Sequence, residues 1–327
     1  MQSFWQKLPK PFFVLAPMAD VTDAAYRKLI AEYGKPDVTW TEFVSCDGLY
    51  HTREKKGLPD SENPLMRDLL YTEAERPIVA QLFSSKPEMM EYASELCARL
   101  GFDGIDINMG CPDKSIEKQG CGAGMIKTPE IAKAVIQAAR EGAAKGKEGG
   151  LPISVKTRIG YNRNEMDTWL PALLEENLAA LTVHLRTRKE MSSVPAHWDL
   201  MPYAVELRDK ISPETLILGN GDVESLANAK KKVEDTGADG IMLGRAIFGN
   251  PWLFTGRPIE DVSPQERIAA LITLAEYFME LKPTKSFHLL KKHFKAFIHG
   301  WPGAAELRAK LMETNSVEEL KQIAVYS

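Results

Sequence analysis

The chain has 327 residues, 44% of them hydrophobic and 26% charged, the composition of a folded globular protein large enough for one big domain plus a small second one, not of a disordered or fibrous chain. The net charge of −4 argues, taken alone, mildly against a nucleic-acid partner. Four cysteines, Cys46, Cys97, Cys111 and Cys121, form no CxxC pair, so neither a disulfide framework nor a metal or iron–sulfur centre is expected.

The first ten residues lack a basic segment followed by an apolar core, and the longest apolar stretch, Pro11 to Ala19, is about half of a membrane span. No secretory signal and a soluble, cytoplasmic protein are therefore expected. Up to about residue 250 one pattern repeats: a short apolar run ends in polar or Gly/Pro residues, and a helical stretch follows. The runs are 12–17, 38–45, 77–83, 104–110, 153–159, 181–186, 215–222 and 240–245. Ser85 before Lys86-Pro87-Glu88 and Thr128 before Pro129-Glu130 read as helix caps with proline in the first turn. The stretch 145–150 reads as a loose surface loop, and Gly120 to Gly124 looks flexible.

Eight strands alternating with helices predict a TIM (β/α)8 barrel, an α/β fold, over residues 1–250. Continuous apolar runs suit parallel strands covered on both faces. An open doubly wound sheet would show a glycine-rich fingerprint after its first strand, and Met18-Ala-Asp-Val-Thr-Asp23 is not one. Beyond Pro251 the strands stop. Ser263-Pro264-Gln265-Glu266 predicts a capping box, a helix to about Leu281 and a second from about Thr284 to His299. A C-terminal helical domain is thus placed at 255–327.

A barrel does its chemistry where its strands end, and the predicted strand ends are polar. They carry Pro17-Met18-Ala19, Glu42, Gln81, Asn108, Lys156 with Arg158, His184 with Arg186, Asn220-Gly221-Asp222, and Gly244-Arg245. Unpaired polar groups in a barrel mouth are costly, so a set from every strand suggests a shared polar ligand. The glycine-rich ends of the last two strands, with Arg245, fit a phosphate; they also fit plain turn chemistry. Asp222 can instead cap the next helix. Lys156, between apolar neighbours on a central strand, is seldom structural without a partner; it can neutralise charge near N1 of a reduced flavin. Gln81 and Asn108 can read a flavin's polar edge. His184 stands alone, with no second histidine at metal spacing, so no metal is expected; it is either a satisfied structural residue or, beside Arg186 and Arg188, a ligand contact.

The sharpest motif is Asp106-Ile-Asn-Met-Gly-Cys-Pro-Asp-Lys114, which puts Cys111 on a tight, exposed turn after a strand. Cys97 lies in a helical stretch and reads as core; Cys46 and Cys121 read as bystanders. In the tail, residues 281–311 hold seven Lys/Arg against one acid, Glu306. Lys285, His288, Lys292, Lys295 and His299 fall on one helical face, and Phe287, Leu290, Phe294 and Phe297 on the adjacent one. The apolar stripe can dock on the barrel while the basic face meets phosphates or simply water.

In this order, Asn-Met-Gly-Cys-Pro, the Lys-Thr-Arg strand, His-x-Arg-Thr-Arg, Asn-Gly-Asp and Gly-Arg resemble the tRNA-dihydrouridine synthase family. So do the opening Ala-Pro-Met-Ala-Asp-Val-Thr-Asp and the tail's Lys-Lys-His-Phe and Gly-Trp-Pro-Gly-Ala-Ala-Glu-Leu-Arg. The resemblance spans nearly the whole chain. It implies a TIM barrel holding FMN, NADPH as electron donor, and a helical domain that binds the tRNA substrate. By position it implies that Pro17, Met18, Ala19, Gln81, Lys156, Asn220, Gly221, Asp222, Gly244 and Arg245 bind FMN, with Asn108 and His184 lining the flavin and uracil site. Cys111 becomes the catalytic acid, giving a proton to C5 of uracil after hydride reaches C6. Glu42, Lys114, Arg158, Arg186, Arg188, Lys285, Lys292 and Lys295 are the expected RNA contacts. Leu185 stands where the family often has glycine, and 189–198 is atypical. The competing readings are an FMN enzyme of a free small molecule, like dihydroorotate dehydrogenase, and an RNA-binding protein without redox chemistry.

Overall fold

The apolar runs become parallel strands. A computed structural model describes residues 3–281 and 285–325. Its strands are β1 (Phe12–Leu15), β2 (Thr39–Trp40), β3 (Val44–Ser45), β4 (Ile78–Phe83), β5 (Gly104–Met109), β6 (Ile153–Arg158), β7 (Ala180–His184), β8 (Leu216–Asn220) and β9 (Gly240–Leu243). They pair in parallel in the order β1-β9-β8-β7-β6-β5-β4-β2, and a bridge from Val14 to Val38 brings the path back to β1. The result is a TIM barrel. The run 38–45, expected as one strand, is broken at 41–43 into β2 and β3, which share β4 as partner. The break arises where the Thr41 hydroxyl, not a main-chain carbonyl, accepts the Gln81 amide at 3.0 Å. Glu42 therefore sits in a gap between strands, not on one.

Alternation along the strands separates two apolar sets. Phe12, Val14, Val79, Leu218 and Met242 fill the barrel, closed at its N-terminal end by Trp5 and Trp40. Outward residues pack under the surrounding helices. Higher inside the barrel the filling turns polar: the Asp106 carboxylate accepts from Gln81 Nε2 at 2.7 Å and from Ser154 Oγ at 2.6 Å.

Proline occupies the first turn of helices Pro87–Arg99 and Pro129–Gly146, as expected; Thr128 holds the N-cap position of the second without a side-chain cap bond, whereas Lys86, not Ser85, holds that of the first. The Ser85 hydroxyl donates to the Gln119 carbonyl and that of Thr128 back to Met125. The helix that begins at Pro129 runs to Gly146, so Lys145 is not in a loop. These two helices pack very closely: a Cβ on Gly142 or Gly146 would lie 2.1 or 2.4 Å from the carbonyl oxygens of Glu91 and Glu95. Gly122–Lys127 is a 3-10 helix and Cys121 is buried, which replaces the flexible segment expected there.

Among the described residues all strands precede residue 244. The helix Pro264–Leu281 starts with the expected capping box, Ser263 N donating to the Glu266 carboxylate at 2.9 Å and Glu266 N to Ser263 Oγ at 3.2 Å. The expected start of the next helix at Thr284 lies outside the described residues. Its described part is a 3-10 turn, Phe287–Leu290, leading into helix Lys291–Phe297; helices Ala304–Met312 and Val317–Val325 follow. Phe287, Leu290, Phe294 and Phe297 are buried in the same core as Tyr26 and Leu29 of helix Ala24–Tyr33. His288, Lys292, Lys295 and His299 face out. Among the described residues no helix is long and apolar enough to cross a membrane.

Candidate active site

The C-terminal strand ends surround a cavity of about 620 Å³, within the usual range for small-molecule sites. Pro17 and Met18 after β1, Lys156 and Arg158 on β6, His184 and Arg186, Asn220 to Asp222, and Gly244 with Arg245 all line it. Five separate stretches of the sequence thus converge on one wall, because parallel strands of a closed barrel all end at the same face.

One end of the cavity is made by the glycine turns. Asn220 Nδ2 donates to the Met242 carbonyl at 2.8 Å and ties the ends of β8 and β9 together. Gly221 has φ of +124°, and a Cβ there would lie 2.8 Å from Ala196 and 3.2 Å from His184. Only glycine fits this turn without strain. Asp222, with φ of +48°, does not cap the following helix; Ser225 does, accepting from Asn228 N at 3.1 Å. The Asp222 carboxylate instead accepts from Arg186, from Arg245 at 2.6 Å and from Ala196 N at 2.9 Å. Arg186 above all, with the other donors, holds it below the usual carboxylate range.

Lys156 has no hydrogen-bond or ion-pair partner among the described residues. Burial, then repulsion from Arg158, brings its ammonium down to about 8. Arg158 is spent on carbonyls: Nε donates to Gly110 at 2.7 Å, and Nη1 to Thr187 at 3.2 Å and Met191 at 3.1 Å. Arg186 is 3% exposed, and its Nε donates to the Val194 carbonyl at 2.6 Å. Arg186, an expected RNA contact, lines the cavity while its donors meet Val194, His184 and Asp222. His184 is held far below the ordinary histidine range, by burial first and then by Lys156, Arg158, Arg186 and Arg245, and so is neutral.

Cys111 is half-buried next to Pro112, which lines the cavity. The Asn108 side-chain oxygen accepts from Gly110 N at 3.1 Å and Cys111 N at 3.0 Å, and Ala123 N donates to the Cys111 carbonyl at 2.9 Å. The turn is therefore fixed from three sides, Arg158 included. Burial pushes the thiol above its usual value, and Lys156 and Arg158 offset this only in part. Cys111 is protonated at neutral pH. Cys46, Cys97 and Cys121 are buried, and no group of three or more His, Cys, Asp or Glu among the described residues is placed to hold a metal.

Other expected residues lie off the cavity wall. Gln81 points into the barrel at Asp106; Asn108 holds the cysteine turn; Ala19 is exposed at the rim. Glu42 is buried and accepts from the Asp20 amide. Lys114 is exposed on the short helix Lys114–Glu117, whose Glu117 takes both Nε and Nη2 of Arg188. Lys285 is half-buried on the tail, apart from this cavity. The sequence reading missed Met242, Met191 and Ser192, which also line it. Met242 was findable, two residues before Gly244 on the same strand face. Met191 and Ser192 belong to the atypical stretch, where no pattern marks them.

Solved structures of this shape include morphinone reductase, at TM-score 0.51 and 12% identity over 75% of this chain and 86% of that one. A histamine dehydrogenase from Rhizobium sp. 4-9 matches at TM-score 0.52 and 14% identity, over 81% of this chain and 48% of its own. At such identities the likeness is one of fold. In sequence, a probable tRNA-dihydrouridine synthase 2 of Bacillus subtilis is 41% identical over 98% of this chain and 95% of its own. A probable tRNA-dihydrouridine synthase of Staphylococcus aureus strain COL is 40% identical over 98% and 94%. The family model for dihydrouridine synthase (Dus) matches residues 14–326. With residues from five of its strand ends gathered at one cavity, this chain belongs to the dihydrouridine synthase family.

Proposed function

We propose that the chain is a tRNA-dihydrouridine synthase that uses FMN and NADPH to reduce uridines of tRNA at C5=C6. The observation that carries this is a firmly held thiol, Cys111, raised above its usual value by burial, beside a cavity whose lysine has no ion-pair partner among the described residues and whose far end is built of glycine turns, in a chain about 40% identical to probable tRNA-dihydrouridine synthases over almost its full length.

FMN fits the residues present. The phosphate suits the backbone N–H groups around Gly221 and Gly244 together with Arg245. Lys156, a half-buried cation with no hydrogen-bond or ion-pair partner among the described residues, suits the ring end that becomes negative on reduction. The bound flavin supplies the hydride. The chain's own work is the remaining half: the Cys111 thiol gives its proton to C5, which leaves a thiolate that solvent reprotonates. Lys156 and Arg158 stabilise that thiolate while burial keeps the resting thiol protonated.

The tail supplies the second surface. Lys292 and Lys295 point outward from a helix docked through Phe294 and Phe297, a division into docking and phosphate-facing sides that suits a tRNA-binding domain following the barrel. Reversing both lysines to glutamate is expected to weaken tRNA binding about tenfold or more at low salt, and to lower the slope of log affinity against log salt by about 0.9 per lost phosphate contact. Filter binding across a salt series reads both; an unchanged slope puts the RNA elsewhere.

Lys156 gives a pH prediction. Its ammonium is charged below about 8 and neutral above, and only the charged form attracts an anionic ligand. Affinity for reduced, anionic flavin should therefore fall as pH rises past 8, and Lys156→Met should flatten that dependence. Titration of the reduced flavin followed by fluorescence checks it.

The experiment that tests the function is anaerobic. The flavin-loaded protein is reduced, unmodified tRNA or free uridine is added, and absorbance near about 450 nm is followed. Reoxidation by tRNA supports the proposal. Reoxidation by a small molecule alone, or a chain that takes up no flavin, overturns it.

A further inference from the structure

We propose that Arg186 and Asp222 are positioning residues that hold His184 in the neutral form with its proton on Nδ1, making the histidine a fixed hydrogen-bond donor in the cavity wall. This deepens the flavin-site reading, but its first test needs no flavin.

The argument starts from what an arginine can do. A guanidinium has five N–H donors and no acceptor. Arg186 Nη1 lies 3.2 Å from His184 Nε2. That contact is a hydrogen bond only if Nε2 is bare, and a bare Nε2 on an uncharged ring leaves the proton on Nδ1. The alternative, an imidazolium, would meet Arg186 head on. It would also be added to Lys156 and Arg158 from β6 and Arg245 from the turn after β9, while the nearby Asp222 carboxylate is paired with Arg186 and Arg245.

The arginine is in turn given no freedom to leave. Its Nε donates to Val194 O at 2.6 Å and its Nη2 to Asp222. Asp222 is fixed by Ala196 N at 2.9 Å and by its own left-handed backbone. The same segment closes the arrangement from outside: His197 N donates to Leu185 O at 2.8 Å, and Trp198 Nε1 to Gly221 O at 2.8 Å. Val194, Ala196, His197 and Trp198 all belong to the stretch 189–198, which the sequence marked only as unusual. Its role here is to seat Arg186 and Asp222 against His184. Glycine at 221 completes the seat, since a side chain there would strike the imidazole.

Neutral histidine with Nδ1–H suits a ligand acceptor that stays uncharged, such as a ring carbonyl. A lysine or arginine in its place would offer a charge as well. The pair Arg186–Asp222 therefore decides which chemical form of the ring meets the ligand, without touching the ligand.

The test is nuclear magnetic resonance of the flavin-free chain labelled with 15N-histidine, with the His184→Gln spectrum used for assignment. Long-range 1H–15N correlations distinguish a protonated Nδ1 from a protonated Nε2. The expected result is a protonated Nδ1 and a bare Nε2, unchanged between about pH 5 and 8, where ordinary histidines titrate. A proton on Nε2, or an imidazolium appearing in that range, overturns the proposal.

Arg186→Met is expected to release Nε2, so that the Nε2–H form appears and the ring titrates at higher pH than in the wild type. Arg186→Lys, a donor-only cation, is expected to restore the wild-type tautomer. Asp222→Asn should give a mixture between wild type and Arg186→Met. If Arg186→Met keeps the wild-type tautomer, or Asp222→Asn changes nothing, the corresponding residue is not a positioning residue and the proposal fails for it. Should the Met variant fail to fold, the wild-type tautomer alone still decides.

Discussion

Cys111→Ala is expected to leave the chain folded and able to bind flavin, and to lower turnover on tRNA by about 10²- to 10⁴-fold, the usual share of a positioned general acid. The truncation removes one sulfur from a half-buried position. The turn that carries it is held by Asn108 Oδ1, Arg158 Nε and Ala123 N, none of which uses the sulfur. Flavin reduction by NADPH should be unchanged, since the thiol has no part in it, so the loss should appear only in reoxidation by tRNA. The pH dependence has a definite sign. A donor must carry its proton, and burial raises this thiol above its usual value, so the cysteine-dependent rate should hold through neutral pH and fall only in the alkaline range. Rapid-mixing absorbance of wild type and variant, on both half-reactions, reads all of this. Equal reoxidation rates would remove Cys111 from the mechanism.

Much of this site was legible in the sequence because a barrel gives strand ends a common address. Lys156, His184, Asn220 and Arg245 come from four different strands, and no pairwise spacing relates them. The alternating strand pattern alone put them at one face. The structure differed where a side chain's direction depends on a partner that strand periodicity does not encode. Gln81 faces inward like Lys156, but one layer deeper, where Asp106 claims its amide. Arg186 and Arg188 were expected as RNA contacts, and no sequence pattern signalled that Asp222 and Glu117, 36 and 71 residues away, pair with them. Asp222 looked like a helix cap because it precedes a helix. Its left-handed backbone turns the carboxylate back to the arginines, and Ser225 takes the capping place. The split of the second strand hinged on one threonine hydroxyl, which no hydrophobic pattern reports.

The largest loss of stability should follow Arg27→Met. Arg27 and Glu75 form an ion pair in which both side chains are 0% exposed, with Nε 2.8 Å from the carboxylate. Arg27 also donates to the carbonyls of Thr22, at 2.8 Å, and Leu70, while the other Glu75 oxygen accepts from Thr72 N at 2.7 Å. Methionine fills a similar volume but leaves the Glu75 carboxylate buried with no countercharge, and breaking such a pair from one side costs about 3–5 kcal/mol. Removing both charges together, as Arg27→Met with Glu75→Gln, should recover a large part of that loss, because the penalty comes from the stranded charge more than from the missing attraction. Urea unfolding of the two single variants and the double variant forms the cycle that separates these terms; equal destabilisation in the single and double variants would assign the cost to the lost carbonyl contacts instead. The site should feel the same change. Thr22 is the residue whose hydroxyl accepts the Met18 amide at 2.9 Å, and Met18 lines the cavity. Loosening Arg27 from the Thr22 carbonyl should therefore weaken flavin binding in Arg27→Met beyond what Glu75→Gln alone produces, since Glu75 makes no bond to that turn.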